Sequence, residues 1–413
     1  MANLKYWIWL TQRKELAGQA AIRALEYFGS PERIYFADEE EYRQVDGLPA
    51  GALPSLLDKS MAEADRVLGD CDRLGIRVVT LQDAVYPERL AAIHQPPLVL
   101  YMKGRPVSFD QEAAIAIVGT RDATPYGLEA ASRLSMDLTR AGALIVSGMA
   151  EGVDTAAVRG ALQAGGSVVS VLAGGLDVIY PRRNRPLYED VSVVGTLISE
   201  YPPGTPHRGA QFPVRNRIIS GLSVGVIAVE SKRSGGTLLT VGHALDQDRE
   251  VFAVPGPIGS VYSEGTNRLI QEGAAKLILN ADDVLCEFVD RFPGRLRRQG
   301  FLHPETARQR VDEAVRASEA ERAPEQPAKK KVVDSGADTA YIDWQKCKGK
   351  LTDDQCTVLL AFEGRTLRVD ELVEYAQLPA RRVLSALTIL QVLGYVTEKS
   401  RKQFCTAGKL KME

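Results

Sequence analysis

Histidine and cysteine are scarce: the chain has four histidines, and its five cysteines stand far apart. Cys71, Cys286, Cys347, Cys356 and Cys405 form no Cys-x-x-Cys pair. The spacing for a zinc site or a disulfide framework is therefore missing, and neither a metal nor a cofactor is expected. No apolar run approaches the ~20 residues of a membrane span. Residues 1–14 carry Tyr6, Trp7 and Trp9 without a signal-peptide layout, so a cytoplasmic protein with no membrane partner is expected. An excess of one charge is also lacking. Lys and Arg number 51 against 53 Asp and Glu, a formal net charge of -2. Any nucleic-acid site must then be a local basic patch. Catalytic signatures are missing as well. There is no GxxxxGK[ST] loop, no full GxGxxG fingerprint, and no Ser/His/Asp arrangement around His207 or His243.

What is present is a change of texture along 413 residues, a length that suits two or three domains at ~100–200 residues each. Residues 1–105 read as helical, with amphipathic stretches at Ala17–Phe28 and Leu56–Leu74, then a bridge with strands at Ile76–Thr80 and Leu98–Met102. Residues 106–292 alternate short apolar runs with helical stretches. The runs are Ile115–Val118, Leu144–Val146, Val168–Leu172, Val224–Val229, Val251–Val254 and Lys276–Leu279. The helices are Tyr126–Ala141, Val153–Ala164 and Val214–Leu222. This predicts an α/β domain with a parallel sheet covered on both faces. Residues 293–349 are charged and poor in large apolar side chains, and include Lys329, Lys330 and Lys331; they read as a flexible linker. Residues 350–413 read as three helices (Gln355–Phe362, Val369–Ala376, Arg381–Leu393) and a two-stranded wing, the order of a winged helix. The third helix carries Arg381 and Arg382 but little further charge, which suits a protein-interaction module better than a DNA reader.

In open parallel sheets ligands bind beyond the carboxyl ends of the strands. Three loops fall there: Gly119-Thr120-Arg121, Ser147 to Asp154, and Glu230 to Thr237. Each precedes a helix whose exposed N–H groups suit phosphate. Gly119, Gly148, Gly235 and Gly236 permit close approach, Thr120, Ser147, Ser234 and Thr237 offer hydroxyls, and Arg121, Lys232 and Arg233 offer charge. Asp154 reads as a cap or loop brace and Glu230 as a rim hydrogen-bonding group. A fourth element runs from Phe212 through Pro213 into a helix with Arg215, Asn216 and Arg217 at its start. A helix dipole disfavours cations at that end, which points to phosphates, with Phe212 stacking on a base. The alternative is a core Phe212 with arginines paired to acids.

These residues resemble the DprA/Smf family of DNA-processing proteins. The motifs are Ile117-Val-Gly-Thr-Arg121, Val146-Ser-Gly-Met-Ala-Glu-Gly-Val-Asp154, Val171 to Pro181 with Asn184, Ser199-Glu-Tyr-Pro202, Phe212-Pro-Val-Arg-Asn-Arg-Ile218, Ser234-Gly-Gly-Thr237 and Val254-Pro-Gly256. The bridge from Tyr86 to Leu90 and from Leu100 to Gly104 also looks like this family. The resemblance implies an extended Rossmann-like domain, preceded by a helical sterile-alpha-motif-like domain and followed by a winged helix. It also implies single-stranded DNA binding, a homodimer, protection of incoming DNA and loading of the RecA recombinase during natural transformation, without catalysis. It maps Arg121, Ser147, Gly148, Lys232 and the Phe212–Arg217 segment to the DNA pocket. The sequence departs at Ala157-Val158, where the family usually carries Ala-His. The rival is a Rossmann-like phosphoribohydrolase with a Gly-Gly-x-Gly-Thr turn followed closely by a glutamate. Here Leu238, Leu239 and Thr240 follow Thr237, so its catalytic acid is missing.

Overall fold

Apolar runs without alternation make strands covered on both faces, and the central strands have that burial. In the computed structural model, residues 3–16, 18–297, 341–344, 351–400, 403–407 and 409–411 are described. The chain divides into two units, residues 1–308 and 309–413. The first is built on the strands β1 (Arg77–Thr80), β2 (Val99–Gly104), β3 (Ala114–Val118), β4 (Leu144–Ser147), β5 (Val168–Leu172), β6 (Thr196–Ser199), β7 (Gly225–Ala228), β8 (Glu250–Ala253) and β9 (Lys276–Leu277). They form one sheet in the order β1-β2-β6-β5-β4-β3-β7-β8-β9. The seven from β6 to β9 run parallel, β2 pairs antiparallel with β6, and β1 antiparallel with β2. The fold is α/β and Rossmann-like.

The helices are α1 (Leu4–Thr11), α2 (Gln19–Phe28), α3 (Pro31–Phe36), α4 (Glu39–Arg43), α5 (Leu53–Leu57), α6 (Ala62–Leu74), α7 (Glu88–Ala91), α8 (Pro125–Arg140), α9 (Val153–Gln163), α10 (Arg185–Val194), α11 (Gln211–Leu222), α12 (Gly236–Asp246), α13 (Glu264–Gln271) and α14 (Asp282–Leu285). Side chains alternate between two cores, as the strand period requires. Ile115, Ile117 and Ile145 join one core with Leu134, Val158 and the N-terminal Trp7 and Trp9. Ala116, Val118 and Val146 join the other with Ile218, Ile219 and Val241. Val158, where the resemblance anticipated a histidine, is fully buried in the first core.

Several expectations need correction. The two expected bridge strands, β1 and β2, extend the central sheet, and the N-terminal aromatics Trp7 and Trp9 share its core. The helix expected over Leu56–Leu74 is two helices, broken at residues 58–61 where Asp58 turns extended. Strand β6 was not anticipated. The expected linker begins as packed chain, since Leu296 is buried and the Arg297 N–H donates to the Ala141 carbonyl at 2.7 Å. Its remainder, with Lys329 to Lys331, lies mostly outside the described residues. No described helix is long and apolar enough to cross a membrane.

In the second unit, α15 (Asp353–Ala361), α16 (Val369–Ala376) and α17 (Ala380–Val392) pack around Val358, Phe362, Leu372, Leu387 and Phe404. A capping box between Thr352 and Gln355 starts α15. Strands β10 (Tyr341–Asp343), β11 (Leu367–Arg368), β12 (Val396–Ser400), β13 (Gln403–Thr406) and β14 (Lys409–Lys411) complete it. β13 pairs antiparallel with β11 and β12. Arg382, a candidate DNA contact on α17, is paired with Asp354, its Nε 2.8 Å from the carboxylate.

Candidate functional site

The strand order reverses at β3. The chain passes from β3 to β4, β5 and β6 on one side, then returns to place β7, β8 and β9 on the other. Such a switch point opens a crevice at the carboxyl ends of the strands. A cleft of about 320 Å³ lies there. Its lining comes from Gly119, Thr120 and Arg121 after β3, Ala150 and Asp154 beside α9, Phe212 to Asn216 on α11, Ser231 and Lys232 after β7, and the first turns of α12.

Phe212 lies between two arginines of different character. Arg121 is exposed, and its guanidinium carbon stands 4.4 Å from the ring centroid. Arg215 reaches the same ring at 5.9 Å but is only 4% exposed. Its Nη1 donates to the carbonyls of Val171 (2.5 Å) and Gly148 (2.7 Å). Burial lowers its pKa to about 10, so it remains a cation at neutral pH. A Cβ at Gly148 would sit 2.1 Å from Arg215 Nη1, so glycine there makes room for the guanidinium. Asp154 Oδ2 accepts from the N–H groups of Gly148 (3.1 Å) and Ala150 (3.3 Å). Burial raises the pKa of this carboxyl and Arg215 pulls it back down.

The other carboxylate at the rim faces inward. Glu230 accepts from the Thr124 N–H at 2.9 Å and the Thr124 hydroxyl at 2.6 Å, which braces the start of α8. Lys232 stands 3.7 Å from Asp122 in an exposed pair. Such a pair contributes little, so the ammonium remains available to a ligand. At α12, Gly235 is the N-cap and no side chain caps the helix. Its first N–H groups and the dipole therefore present positive charge to the cleft. A Cβ at Gly236 would meet no protein atom within 4 Å. Packing does not require glycine there; the open space is the cleft itself.

Of the sequence-derived site residues, Gly119, Thr120, Arg121, Phe212, Arg215, Asn216, Lys232, Gly235, Gly236 and Thr237 converge on the cleft. Four do not line it. Ser147 is buried and donates to the Ile117 carbonyl at 2.8 Å. Gly148 lies behind Arg215, and Ser234 is not among the residues that line the cleft. Arg217 is the main correction: its Nη2 pairs with Glu200 at 2.6 Å, in side chains only 12% and 23% exposed. The helix starts at Gln211 rather than after Pro213, so neither arginine stands in its first turn and the dipole argument for both lapses. Both arginines are held by the fold, Arg217 by an acid and Arg215 mainly by carbonyls.

Sequence reasoning missed Tyr180 and His207 as neighbours of the cleft. His207 stacks on Tyr180 at 5.3 Å between ring centroids, and Phe212 stands 5.8 Å from Tyr180. The clue was the aromatic in the Ile179-Tyr180-Pro181 turn after β5, a segment used only as a family motif. Thr240 was also missed; it lies one helical turn beyond Thr237 and lines the same wall.

A cationic cleft at the switch point, with an uncapped helix pointing into it, defines a Rossmann-fold protein built to hold an anionic ligand. The family model for DNA recombination-mediator protein A matches residues 77–289, from β1 to just past α14. The chain is 40% identical over 246 residues to DNA processing protein DprA of Bacillus subtilis, covering 60% of this chain and 82% of that protein. It is 32% identical over 286 residues to protein Smf of Escherichia coli, covering 69% and 75% respectively. The crystal structure of DprA from Streptococcus pneumoniae superposes with a TM-score of 0.61 at 32% identity, over 68% of this chain and 97% of that one. The chain belongs to the DprA/Smf family of DNA-processing proteins.

Proposed function

We propose that this protein binds single-stranded DNA in the switch-point cleft and does no chemistry on it. The observation that carries this reading is the joint geometry of Arg121, Lys232 and the uncapped start of α12 around a cleft open at Gly236. Successive phosphates sit against these groups, and affinity falls with salt as counterions are released. The net charge of -2 makes this attraction local to the rim. A non-catalytic role is supported by the two nearby carboxylates, since Asp154 and Glu230 are both committed to bracing N–H and hydroxyl groups. We further propose that it protects incoming DNA and loads RecA, as a cytoplasmic homodimer with a winged-helix tail serving as a partner module; membership of a DNA-processing family supports this reading.

The test is fluorescence anisotropy with a labelled poly-dT strand and a matched duplex over a salt series, for wild type and Arg121→Ala. Salt-sensitive preference for the single strand, weakened in the variant, is the expected result. Equal or no binding to both DNAs would overturn the reading in favour of a small phosphorylated ligand. Sedimentation, and RecA filament assembly with and without the protein, test the dimer and the loading role.

A further inference from the structure

Stacking on an aromatic side chain is how sequence-tolerant sites hold the bases of a single strand. Phe212 is poorly placed to do so. Arg121, Arg215, Tyr180 and His207 all crowd its ring, at 4.4, 5.9, 5.8 and 6.2 Å from its centroid. Tyr180 has the opposite character. It is 46% exposed, on the loop that follows β5 at the carboxyl edge of the sheet, the same edge that carries the cleft. Its ring is backed by the imidazole of His207, tilted only 30° from parallel.

His207 is itself held in place. Its Nε2–H donates to the carbonyl of Val178, two residues before Tyr180, at 2.8 Å. A Cβ at Gly174 would sit 2.9 Å from the ring, so the imidazole packs closely on that loop. Burial lowers its pKa, the Val178 hydrogen bond opposes this, and the nearby Arg215 adds to the lowering. Tyr180, His207 and Phe212 thus form one compact aromatic cluster, with the Arg121 guanidinium against Phe212 and the half-exposed Tyr180 at its solvent side.

We propose that Tyr180 is a base-stacking platform, on which the nucleotide adjoining the phosphate at Arg121 lays its base, with His207 as the positioning residue behind it. This rests on the single-stranded DNA reading above and names the group that takes the base. Because every base has a π-face, the platform adds affinity without sequence preference.

The experiment uses the full chain and a dT oligonucleotide in which one abasic site is walked along the strand. In wild type, one or two positions lose about tenfold in affinity, as loss of one stacked base entails. Tyr180→Ala binds the intact strand about tenfold more weakly and gives a flat abasic profile. Tyr180→Phe keeps both affinity and profile. His207→Ala weakens binding and shallows the profile without moving it. A 2-aminopurine at the sensitive position is quenched by wild type and not by Tyr180→Ala. Equal melting temperatures control for folding. A wild-type profile in Tyr180→Ala, or a flat profile in wild type, overturns the platform. If Arg121→Ala weakens binding and Tyr180→Ala does not, the platform alone fails. If wild type binds no single strand, the cleft reading and the platform fail together.

Discussion

Arg121 and Arg215 share the ring of Phe212, one from solvent at 4.4 Å and the other from inside the fold at 5.9 Å. Their substitutions should therefore separate binding from stability. Arg121→Ala removes an exposed cation and should leave the melting temperature unchanged. Its affinity for single-stranded DNA should fall about tenfold at low salt, and the log–log salt slope should shrink by about 0.7. Anisotropy titrations at several salt concentrations check both values.

Arg215→Ala should act first on folding. It frees the carbonyls of Gly148 and Val171 and leaves buried Asp154 without its neighbouring cation. Breaking a buried charge arrangement destabilises by about 3 kcal/mol. Urea unfolding measures the loss; a variant as stable as wild type would contradict the bracing role assigned to this arginine.

Gly236→Ala should move stability and binding in opposite directions. The position is the first residue of α12, and its Cβ would meet no protein atom. Alanine there should hold or raise stability, by up to about 0.5 kcal/mol. The added methyl enters the cleft and should weaken DNA binding. Thermal melts and anisotropy on the same preparation decide this.

Arg217→Met should lower stability by about 2 kcal/mol, because it leaves Glu200 partly buried and unpaired. Its affinity for single-stranded DNA should match wild type. A selective loss of affinity would return Arg217 to the site.

Lys59 supplies a pH test in the N-terminal helices. Its Nζ lies 5.0–5.5 Å from the ring centroids of Trp9, Tyr35 and Tyr42, and donates to the Ala37 carbonyl and the Tyr42 hydroxyl. Burial, then repulsion from Arg13, lowers its pKa to about 8. Between that value and the unfolded value of about 10.4, the unfolded chain binds more protons, so this group's contribution to stability rises with pH. NMR of the Lys59 side chain should show the titration near pH 8. Lys59→Met should remove the corresponding rise in urea stability.

Most strands were legible to within a residue or two, because fully buried parallel strands write themselves as unbroken apolar runs. β6 was not, because Thr196-Leu-Ile-Ser199 has only two apolar residues and is recognised by its place between β5 and β2. The start of α11 was misplaced by one turn because Pro213 reads as a helix boundary, although proline is tolerated in a first turn. That single turn moved Arg215 and Arg217 away from the helix terminus and changed what each was expected to meet.

By itself the sequence determined the order of strands, loops and helices, the phosphate-suited composition of the loops, and the family, since all three depend on residues close in the chain. Only the tertiary structure decided which arginine faces the ligand. Arg121, Arg215 and Arg217 carry the same charge and follow similar local patterns. What separates them is the packing around each: an open rim for Arg121, the carbonyls of Gly148 and Val171 for Arg215, and the carboxylate of Glu200 for Arg217. The groups that hold Arg215 and Arg217 come from loops and strands elsewhere in the chain, and burial and pairing exist only once the chain has brought them together.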